Sequence, residues 1–377
     1  MTPTPAAFAR RRVAVLGAGS WGTTFAKVLA DADNEVVLWA RREELAKEIN
    51  STHRNSDYLR GIPLPSALSA TTNLAAAVRG ADQIYLAIPS QSLRENLAAV
   101  ATVLTDGQIV VSLMKGVEKA SGLRMSQVIA EELPIDPDLI AVASGPNLAL
   151  EIAKEQPTAA VVASDDIDTA TAVAIAATSK YFRCFVNTDI PGTEFGGVLK
   201  NLIAVAVGIV DGVGFGDNTK ASIITRGLAE MTDFAVAYGA QPETLSGLAG
   251  LGDLIATCES PLSRNNTAGR LLGQGYSLTD VIKQMNQTAE GLASVAPILE
   301  LARARDVDMP IVTQVDRVLK GTLDPRDIAP YLTTGDDEPQ GERTFDDNEN
   351  PGRRAVWGSI KRAFGQLRDG TGSAQRD

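Results

Sequence analysis

Residues 13–22 read VAVLGAGSWG, and this stretch decides the fold that the sequence predicts. Its first four residues form a short apolar run typical of a buried strand, and a helix-length segment follows the glycines. In this arrangement Gly17 makes a tight turn, Gly19 lets the backbone approach a pyrophosphate, and Gly22 lets the helix pack on the strand. Free N–H groups at the helix start would face the phosphates. We therefore expect a dinucleotide-binding βαβ unit, with a purely structural glycine turn as the alternative.

Short β-branched runs alternate with helix-length segments from residue 12 to about residue 191. This alternation is typical of parallel βαβ units, so it predicts an α/β, Rossmann-type, doubly wound sheet as a dinucleotide-binding domain at residues 12–191. A short N-terminal extension, residues 1–11, precedes this domain. The strand candidates are Val13–Leu16, Glu35–Trp39, Gln83–Ile88, Gln108–Ser112, Leu139–Ala143, Ala159–Val162 and Phe182–Val186.

The β-type runs stop after Pro191, and apolar residues then recur at three- and four-residue spacing. This periodicity predicts an all-α C-terminal substrate domain at residues 192–333, with Pro310 and Gly321 as expected helix breakers. Residues 334–377 are rich in Gly, Asp, Glu, Asn and Pro, and they bury too little apolar surface to order themselves, which predicts a disordered acidic tail. The helix candidates are Glu194–Val213, Ala221–Ala240, Leu278–Gln284, Leu292–Ala304 and Val312–Leu319.

The composition limits the classes of function. The chain has 377 residues and 44% apolar content, which is enough for two sizeable cores. Its formal net charge of −11 argues against a nucleic-acid partner and leaves a small molecule as the expected partner. Cys184 and Cys258 are the only cysteines and stand far apart, which argues against a disulfide framework and fits a reducing cytoplasm. We find no signal peptide or membrane-spanning run and expect cytoplasmic localisation.

The residues after the second predicted strand bear on the choice of cofactor. An NAD-preferring site usually places Asp or Glu at the end of this strand, where the carboxylate accepts from the ribose hydroxyls. Here Glu35–Trp39 runs into Ala40, Arg41 and Arg42, and arginine suits a 2′-phosphate. We therefore expect NADPH as the cofactor, with NADH as an open alternative. The other interpretation is that both arginines are solvated caps on the next helix.

Elimination narrows the choice of catalytic acid. His53 is the only histidine and lies in a polar stretch, so it is the one candidate for a catalytic His–Asp pair. One histidine and two distant cysteines are too few ligands for a zinc site, and we expect no metal. That leaves a lysine, a tyrosine or a carboxylate to transfer the carbonyl proton, and a lysine can do so when desolvation and nearby positive charge lower its pKa. Lys200 is the only charge between Glu194 and Asp211, and a bare lysine is unusual in such an apolar helix. The alternative is a lysine whose amine reaches the surface at the helix edge.

Seven short blocks strengthen this interpretation when they are read together. They are Gly17–Gly22, Lys115-Gly116, Gly145-Pro146, Val198–Asn201, Gly252–Leu254, Ser263–Asn265 and Glu290-Gly291. In order and separation they resemble the bacterial NAD(P)-dependent glycerol-3-phosphate dehydrogenase family, over roughly residues 12–330. The resemblance implies the interconversion of dihydroxyacetone phosphate and sn-glycerol 3-phosphate, which would supply glycerol 3-phosphate for phospholipid synthesis.

The resemblance also implies roles for individual residues. Lys200 would donate the proton to the substrate carbonyl, Asp253 would orient the substrate or hold the ammonium, and Lys115 would approach substrate and nicotinamide together. Arg264 would hold the substrate phosphate, for which a bidentate guanidinium is better suited than a lysine. The other implied substrate positions are Gly145, Asn147, Asn201, Thr257, Ser263 and Asn265, and the cofactor positions are Gly17, Gly19, Ser20, Trp21, Gly22, Arg41, Arg42, Lys115, Ala149, Arg264, Thr288 and Glu290.

The chain departs from the family at two positions. Ser is usual before Lys115 and after Pro146, where this chain has Met114 and Asn147. Asn147 can still form hydrogen bonds, whereas Met114 cannot replace a hydroxyl, so we expect the fine positioning of the substrate to differ. Two other functions stay open: a related reductase of another small 2-oxo or 2-hydroxy acid, and an NADPH-binding sensor without turnover. The intact catalytic set argues against the sensor.

The tail contains one segment with helical spacing. After the acidic residues 335–350, five basic residues surround five apolar residues that share one helical face, which predicts a basic amphipathic helix on a tether. Such a helix would make peripheral contact with an anionic membrane. The alternative is docking on the protein's own surface or on a twin subunit, and we expect a homodimer. The residues are Arg353, Arg354, Lys361, Arg362 and Arg368 around Val356, Trp357, Ile360, Phe364 and Leu367.

Overall fold

An eight-stranded sheet is the frame of the structure, a computed structural model that describes residues 11–285 and 289–328. The strand order is β3-β2-β1-β4-β5-β6-β7-β8, so the chain starts inside the sheet and reverses direction after β3. This reversal is the doubly wound arrangement, and the predicted Rossmann-type sheet is confirmed. The strands are β1 (Arg12–Leu16), β2 (Glu35–Trp39), β3 (Leu68–Thr71), β4 (Gln83–Leu86), β5 (Ile109–Ser112), β6 (Ile140–Ser144), β7 (Thr158–Ala163) and β8 (Phe182–Asn187).

The seven strand candidates all lie on observed strands, with ends that differ by at most two residues. β3 was not predicted, because its sequence LSAT is short and carries only two apolar side chains. The expectation of parallel units is wrong for one pair, since β7 runs antiparallel to β6 with Val142 opposite Ala163. A parallel connection needs a crossover of a dozen or more residues, usually a full helix. The helix between these strands has only five residues.

Helices cover both faces of the sheet. Along β1, Val13 and Val15 belong to the apolar cluster on one face, whereas Ala14 and Leu16 belong to the cluster on the other. Because both faces are buried, this strand is apolar throughout instead of alternating. The helices of this half are α1 (Ser20–Asp31), α2 (Glu43–Thr52), α3 (Leu74–Val78), α4 (Leu93–Ala101), α5 (Met125–Glu132), α6 (Ala149–Ala153) and α7 (Ile167–Ala177).

One long apolar helix, α8, is the centre of the second half. It is long and apolar enough to cross a membrane, but 83% of its most apolar window is buried inside the protein, as in the core helix of a globular fold. Its side chains share one apolar cluster with those of the helices that follow. The helices are α8 (Ile190–Val213), α9 (Asp217–Ala237), α10 (Pro242–Ser246), α11 (Asp253–Glu259), α12 (Arg264–Gly273), α13 (Leu278–Gln284), α14 (Glu290–Ala304) and α15 (Pro310–Leu319).

The helix candidates of this half lie on observed helices, and α13 has the predicted bounds. The other four begin two to four residues earlier than predicted, because their first turns contain proline in α8 and α15 and polar residues or glycine in α9 and α14, which the apolar spacing does not mark. Pro310 therefore starts α15 and does not break a helix. α8 begins at Ile190, which packs with Val142 and Ala163 of the sheet, so the predicted boundary at residue 191 would cut this helix.

The division into two domains stays a prediction, because the described residues all belong to one compact unit. Most of the N-terminal extension, Thr288, the end of the predicted substrate domain and the whole tail lie outside the described residues. The predicted amphipathic helix of the tail belongs to that part of the chain.

Candidate active site

The three glycines of the first turn have the predicted geometry. Gly17 has φ +119°, and a Cβ there would lie 2.4 Å from the carbonyl oxygen of Ala87. A Cβ on Gly22 would lie 1.9 Å from the carbonyl oxygen of Gly17, so α1 packs directly on the turn. A Cβ on Gly19, in contrast, would meet no atom within 4 Å. This open backbone at the start of a helix fits the pyrophosphate of a dinucleotide, and the purely structural alternative leaves the second glycine unexplained.

The loop after α2 forms hydrogen bonds with this turn. Asn55 is fully buried, and its Nδ2 donates to the carbonyl oxygen of Ala18 at 3.1 Å and to Thr23 Oγ1 at 2.8 Å. Ser20 Oγ donates to the carbonyl oxygen of Tyr58 at 3.2 Å. Because Asn55 is tied to the peptide between the first two glycines, it holds the shape of the turn. Asn55 was not predicted from the sequence. An uncharged amide in the polar stretch of residues 50–57 is only a weak indication of a buried contact.

Two other expected cofactor positions lie close to the turn. The indole nitrogen of Trp21 donates to the carbonyl oxygen of Leu113, which follows β5, at 3.1 Å. The carbonyl oxygen of Ala149, at the start of α6, accepts from Thr24 Oγ1 at 3.2 Å. α1 is thereby linked to the carboxyl ends of β5 and β6, the edge at which open α/β sheets bind ligands.

The two arginines after β2 are in different environments. Arg41 is exposed and forms no hydrogen bond or ion pair within the described ranges. Arg42 is the residue before α2, and its Nη2 lies 2.7 Å from Asp57 Oδ2. This hydrogen bond raises the pKa of the Arg42 guanidinium. Arg42 thus has the position of the cap that was one alternative, whereas Arg41 is available to a ligand.

A Lys–Asp–Lys cluster, formed by Lys115, Asp253 and Lys200, lies at the same edge of the sheet. Lys115 follows β5, Lys200 is inside α8, and Asp253 begins α11. Lys115 Nζ donates to Asp253 Oδ2 at 2.6 Å, and Lys200 Nζ donates to Asp253 Oδ1 at 2.8 Å. Asp253 is 1% exposed and Lys200 7% exposed. One buried carboxylate therefore holds two ammonium groups, and the surface-lysine alternative for Lys200 is wrong.

Two neutral oxygens complete the contacts of the lysines. Thr257, one turn after Asp253, accepts from Lys200 Nζ at 2.7 Å and donates to the carbonyl oxygen of Asp253 at 2.6 Å. The carbonyl oxygen of Gly145 accepts from Lys115 Nζ at 3.0 Å. An ammonium group has three N–H donors. Among the described residues each lysine makes two such bonds, so each keeps one donor for another group.

The cluster depends on a close approach of α8 to its neighbours. A Cβ on Gly196 would lie 2.4 Å from the carbonyl oxygen of Ala249, in the turn before α11. A Cβ on Gly197 would lie 2.8 Å from Ser144 Oγ and 3.3 Å from Lys115 Cγ. These glycines therefore let the helix that carries Lys200 pack against both the sheet edge and the turn.

Burial and like charge affect the titration of the cluster. Desolvation lowers the pKa of Lys115 to about 8, although Asp253 opposes the shift, and the positive charge of Lys200 lowers the pKa further. Glu290 as a residue is exposed, yet desolvation of its carboxyl raises that group's pKa against the opposing charges of Arg264 and Lys115. Glu290 therefore lies within electrostatic range of Arg264 and of both lysines of the Lys–Asp–Lys cluster.

Two polar side chains without partners stand on either side of Gly145 in the sequence, and Lys115 donates to the carbonyl oxygen of Gly145. Both amide atoms of Asn147 and the hydroxyl of Ser144 are buried and have no hydrogen-bond partner among the described residues. A buried amide without a partner is costly, so Asn147 is suited to a polar ligand. Met114 instead packs in the apolar cluster on one face of the sheet, where a hydroxyl has no function. Ser144 was not singled out in the sequence, because a serine that ends a strand is common.

The remaining expected substrate residues form a chain of amides. Asn265 Nδ2 donates to Asn201 Oδ1 at 2.8 Å, and Asn265 Oδ1 accepts from the backbone of Gly291 at 3.0 Å. Ser263 caps α12 by accepting from the backbone of Asn266, and Arg264, the first residue of that helix, is exposed. Asn201 and Asn265 thus hold α8, α12 and α14 together, and Ser263 fixes the start of α12.

The structure brings the predicted residues into two neighbouring groups, one around the glycine turn and one around the Lys–Asp–Lys cluster. Thr288 lies outside the described residues. Within the described ranges, no group of three or more His, Cys, Asp or Glu side chains could hold a metal ion. The sequence analysis did not find Asn55, Asp57 or Ser144, since none of the three lies in a motif from which a function was predicted.

Two family descriptions match the chain. The N-terminal part of NAD-dependent glycerol-3-phosphate dehydrogenase matches residues 12–170, and the C-terminal part matches residues 189–330. Together they cover the Rossmann-type sheet and the helical half, and they leave out the tail.

Individual relatives agree with these matches. A protein of Leifsonia xyli subsp. xyli named glycerol-3-phosphate dehydrogenase, with NAD(P)+ in its name, is 72% identical over 96% of this chain and 100% of its own length. A protein of the same name from Thermobifida fusca is 56% identical over 83% of this chain and 94% of its own. The solved glycerol-3-phosphate dehydrogenase of Coxiella burnetii is 35% identical with a TM-score of 0.81, over 86% of this chain and 99% of that one. The Leifsonia alignment extends into the tail, beyond the expected end of the similarity near residue 330.

Proposed function

This chain belongs to the NAD-dependent glycerol-3-phosphate dehydrogenase family, and we propose that its Lys–Asp–Lys cluster carries out the interconversion of dihydroxyacetone phosphate and sn-glycerol 3-phosphate. The observation that supports this assignment is the single buried carboxylate that holds two ammonium groups at the carboxyl edge of the sheet. The cofactor is a nicotinamide dinucleotide, for which the open backbone at Gly19 provides a fitting cradle.

We assign the proton transfer to Lys200. A bound nicotinamide would supply the hydride for C2 of the ketone, and the carbonyl oxygen would then need a proton. Lys200 Nζ has one N–H that is not used by Asp253 or Thr257, and that proton would go to the developing alkoxide. In the reverse direction the amine would take the proton from the hydroxyl. Lys115 is the alternative donor, because its pKa of about 8 is close to neutrality.

Asp253 and Thr257 would keep the lysine in place. The carboxylate of Asp253 accepts from Lys200 Nζ at 2.8 Å and so holds the amine at one position in the site. Since Thr257 accepts from Lys200 and donates to the backbone of Asp253, its hydroxyl fixes the direction of the ammonium. Asn147, with its unpartnered amide beside Gly145, would bind a substrate hydroxyl.

Binding of the substrate phosphate is assigned to Arg264, with Lys115 as a second positive charge. A guanidinium offers two parallel donors to a phosphate, which orients the substrate as well as attracting it. Arg264 is exposed at the first residue of α12, where free backbone N–H groups also favour an anion. Asn201, Ser263 and Asn265 would add polar contacts.

We propose that NADPH is preferred over NADH. The end of β2 is followed by two arginines instead of a carboxylate, and Arg41 is exposed without an intramolecular partner in the described ranges. A 2′-phosphate provides such a partner, whereas a ribose hydroxyl does not.

An assay of NADPH oxidation with dihydroxyacetone phosphate, run beside NADH, tests the reaction and the cofactor preference together. A small 2-oxo acid without a phosphate serves as the competing substrate. Turnover of the phosphate ester at least about a hundredfold above that of the 2-oxo acid supports the assignment. Preference for the 2-oxo acid would favour the related reductase, and dinucleotide binding without turnover would favour the sensor.

Further properties follow from this assignment as proposals. The product is a phospholipid precursor, so the enzyme would supply lipid synthesis from the cytoplasm. We also propose a homodimer. Sedimentation equilibrium gives the mass directly, and a value that corresponds to the 39.7 kDa monomer at micromolar concentration contradicts the dimer.

The basic amphipathic segment of the tail, Arg353–Arg368, is proposed to make peripheral contact with anionic membranes. Its apolar face would lie among the acyl chains and its basic residues near the headgroups. The test is co-sedimentation with anionic liposomes of the full chain and of a chain that ends at Thr334, at low and high salt. Salt-sensitive binding of the full chain alone supports the contact, whereas equal recovery of both chains in the pellet contradicts it.

A further inference from the structure

The ion pair between Arg42 and Asp57 lies beside the residue that is proposed to recognise the cofactor's 2′ position. Arg42 Nη2 is 2.7 Å from Asp57 Oδ2, and the side chains are 48% and 53% exposed. The Arg42 guanidinium also lies 5.8 Å from the centre of the Tyr58 ring. Arg42 is therefore held by the loop after α2, whereas Arg41 beside it has no partner in the described ranges.

The loop that carries Asp57 is fixed to the glycine turn on both sides of that residue. Asn55, two residues earlier, is buried and donates to the carbonyl oxygen of Ala18 at 3.1 Å. The carbonyl oxygen of Tyr58, one residue later, accepts from Ser20 Oγ at 3.2 Å. The carboxylate of Asp57 consequently has a defined position next to the cofactor turn, although its own side chain is half exposed.

A carboxylate in this position affects the two cofactors differently. A 2′-phosphate carries negative charge that Asp57 repels, and it needs the same guanidinium donors that Asp57 now occupies. A free 2′-hydroxyl carries no charge, so the Asp57 carboxylate does not repel it. We propose that Asp57 is a specificity-determining residue, which holds Arg42 and so limits the preference for NADPH that the two arginines would otherwise give. This inference rests on the proposed recognition of the 2′ position at the end of β2.

The size of the effect follows from the exposure of the pair. Solvent and salt screen a half-exposed ion pair, so its removal should change the binding constant of a cofactor by about twofold to fivefold. The change should be smaller at high ionic strength. Asp57 repels a doubly charged phosphate more strongly than a neutral group of the same size, so the largest gain in affinity that we expect for the 2′-phosphorylated cofactor is about tenfold.

Calorimetric titration of Asp57→Asn with ADP-ribose and with 2′-phospho-ADP-ribose measures this effect without catalysis. The substitution keeps the size of the side chain and removes its charge. We expect affinity for the 2′-phosphorylated probe to increase about twofold to tenfold, while affinity for ADP-ribose stays within about twofold. The gain should shrink when sodium chloride is raised to about 0.5 M.

Two further variants separate the proposed cause from general electrostatics. Glu43→Gln removes one negative charge next to Arg42 in sequence, but Glu43 is paired with Lys47 at 2.7 Å and not with Arg42. This control should leave the ratio of the two affinities within about 1.5-fold of wild type. In an Arg42→Gln background, Asp57→Asn should keep only the part of its effect that comes from direct repulsion of the 2′-phosphate, because the guanidinium that it frees is absent.

The outcomes distinguish this inference from the proposed NADPH preference. If Asp57→Asn changes the affinity ratio no more than Glu43→Gln does, Asp57 has no specific role, and a wild-type preference for NADPH would still stand. If wild type prefers NADH but Asp57→Asn shifts the ratio toward the phosphorylated probe, the preference is wrong and the role of Asp57 is supported. A full effect of Asp57→Asn in the Arg42→Gln background overturns the mechanism through Arg42.

Discussion

Lys200 and Asp253 are 53 residues apart in the sequence, yet Lys200 Nζ lies 2.8 Å from Asp253 Oδ1. Both side chains are buried, and Asp253 accepts from Lys115 through its second oxygen. The carboxylate therefore remains paired when either lysine is removed singly, so that a lysine substitution tests chemistry with little disturbance of the fold.

Lys200→Met should lower kcat by roughly 10²–10⁴-fold, the usual contribution of a positioned general acid. Binding of NADPH should be nearly unchanged, since the glycine turn is formed by other residues. Steady-state kinetics with dihydroxyacetone phosphate gives kcat, and the exposed Lys119→Met is the matched control. A variant that keeps more than half of wild-type turnover would transfer the role to Lys115.

The pKa of Lys115 predicts a pH dependence. Desolvation lowers that pKa from 10.5 to about 8, so the ammonium predominates below pH 8 and is lost as the pH rises through that value. Because the charged form would attract the phosphate, kcat/KM for dihydroxyacetone phosphate should fall above about pH 8. In Lys115→Arg the charge persists, and the decline should move to higher pH. An unchanged profile in this variant would show that another group titrates.

Arg264→Lys should raise the KM for dihydroxyacetone phosphate by about tenfold or more, because it keeps one charge but removes the two parallel donors. Arg270→Lys provides the control, since Arg270 is on the same helix and its Nε lies 3.9 Å from Asp211 Oδ2, outside the Lys–Asp–Lys cluster. Equal KM values for the two variants would place the phosphate site elsewhere.

Two glycine substitutions separate folding from cofactor binding. Gly22→Ala places a Cβ 1.9 Å from the carbonyl oxygen of Gly17, so it should lower the free energy of unfolding by roughly 1–3 kcal/mol or more. Gly19→Ala meets no protein atom within 4 Å, and its melting temperature should match wild type. Its Kd for NADPH should nevertheless rise roughly tenfold, because the Cβ enters the space proposed for the pyrophosphate. Undiminished NADPH binding by Gly19→Ala would contradict that placement.

Arg41→Asp should reverse the proposed preference for NADPH. A carboxylate repels the 2′-phosphate and accepts from the ribose hydroxyls, so the ratio of kcat/KM for NADPH to that for NADH should fall by about tenfold or more. Arg79→Asp makes the same charge change at an exposed position before β4, at the other end of the sheet. A ratio that is the same in both variants would leave Arg41 without a role in cofactor choice.

Local pattern was sufficient for most of the fold. The VAVL run, the three glycines and the apolar periodicity of α8 act over a few residues, and each predicted the observed element. β3 and the antiparallel direction of β7 could not be predicted in this way, since the four residues of β3 carry little pattern and strand direction depends on the connection between distant strands.

The sequence by itself determined the glycine turn after β1 and the presence of a lone lysine in an apolar helix, and the resemblance predicted the residue types of the site. Only the tertiary structure decided that Lys115 and Lys200 share the carboxylate of Asp253, and that Asp57 forms an ion pair with Arg42. The physical reason is the separation along the chain over which each interaction acts. Turn geometry and helical periodicity are set by neighbouring residues, whereas a charge's environment depends on which distant segments exclude water from it and face it with an opposite charge.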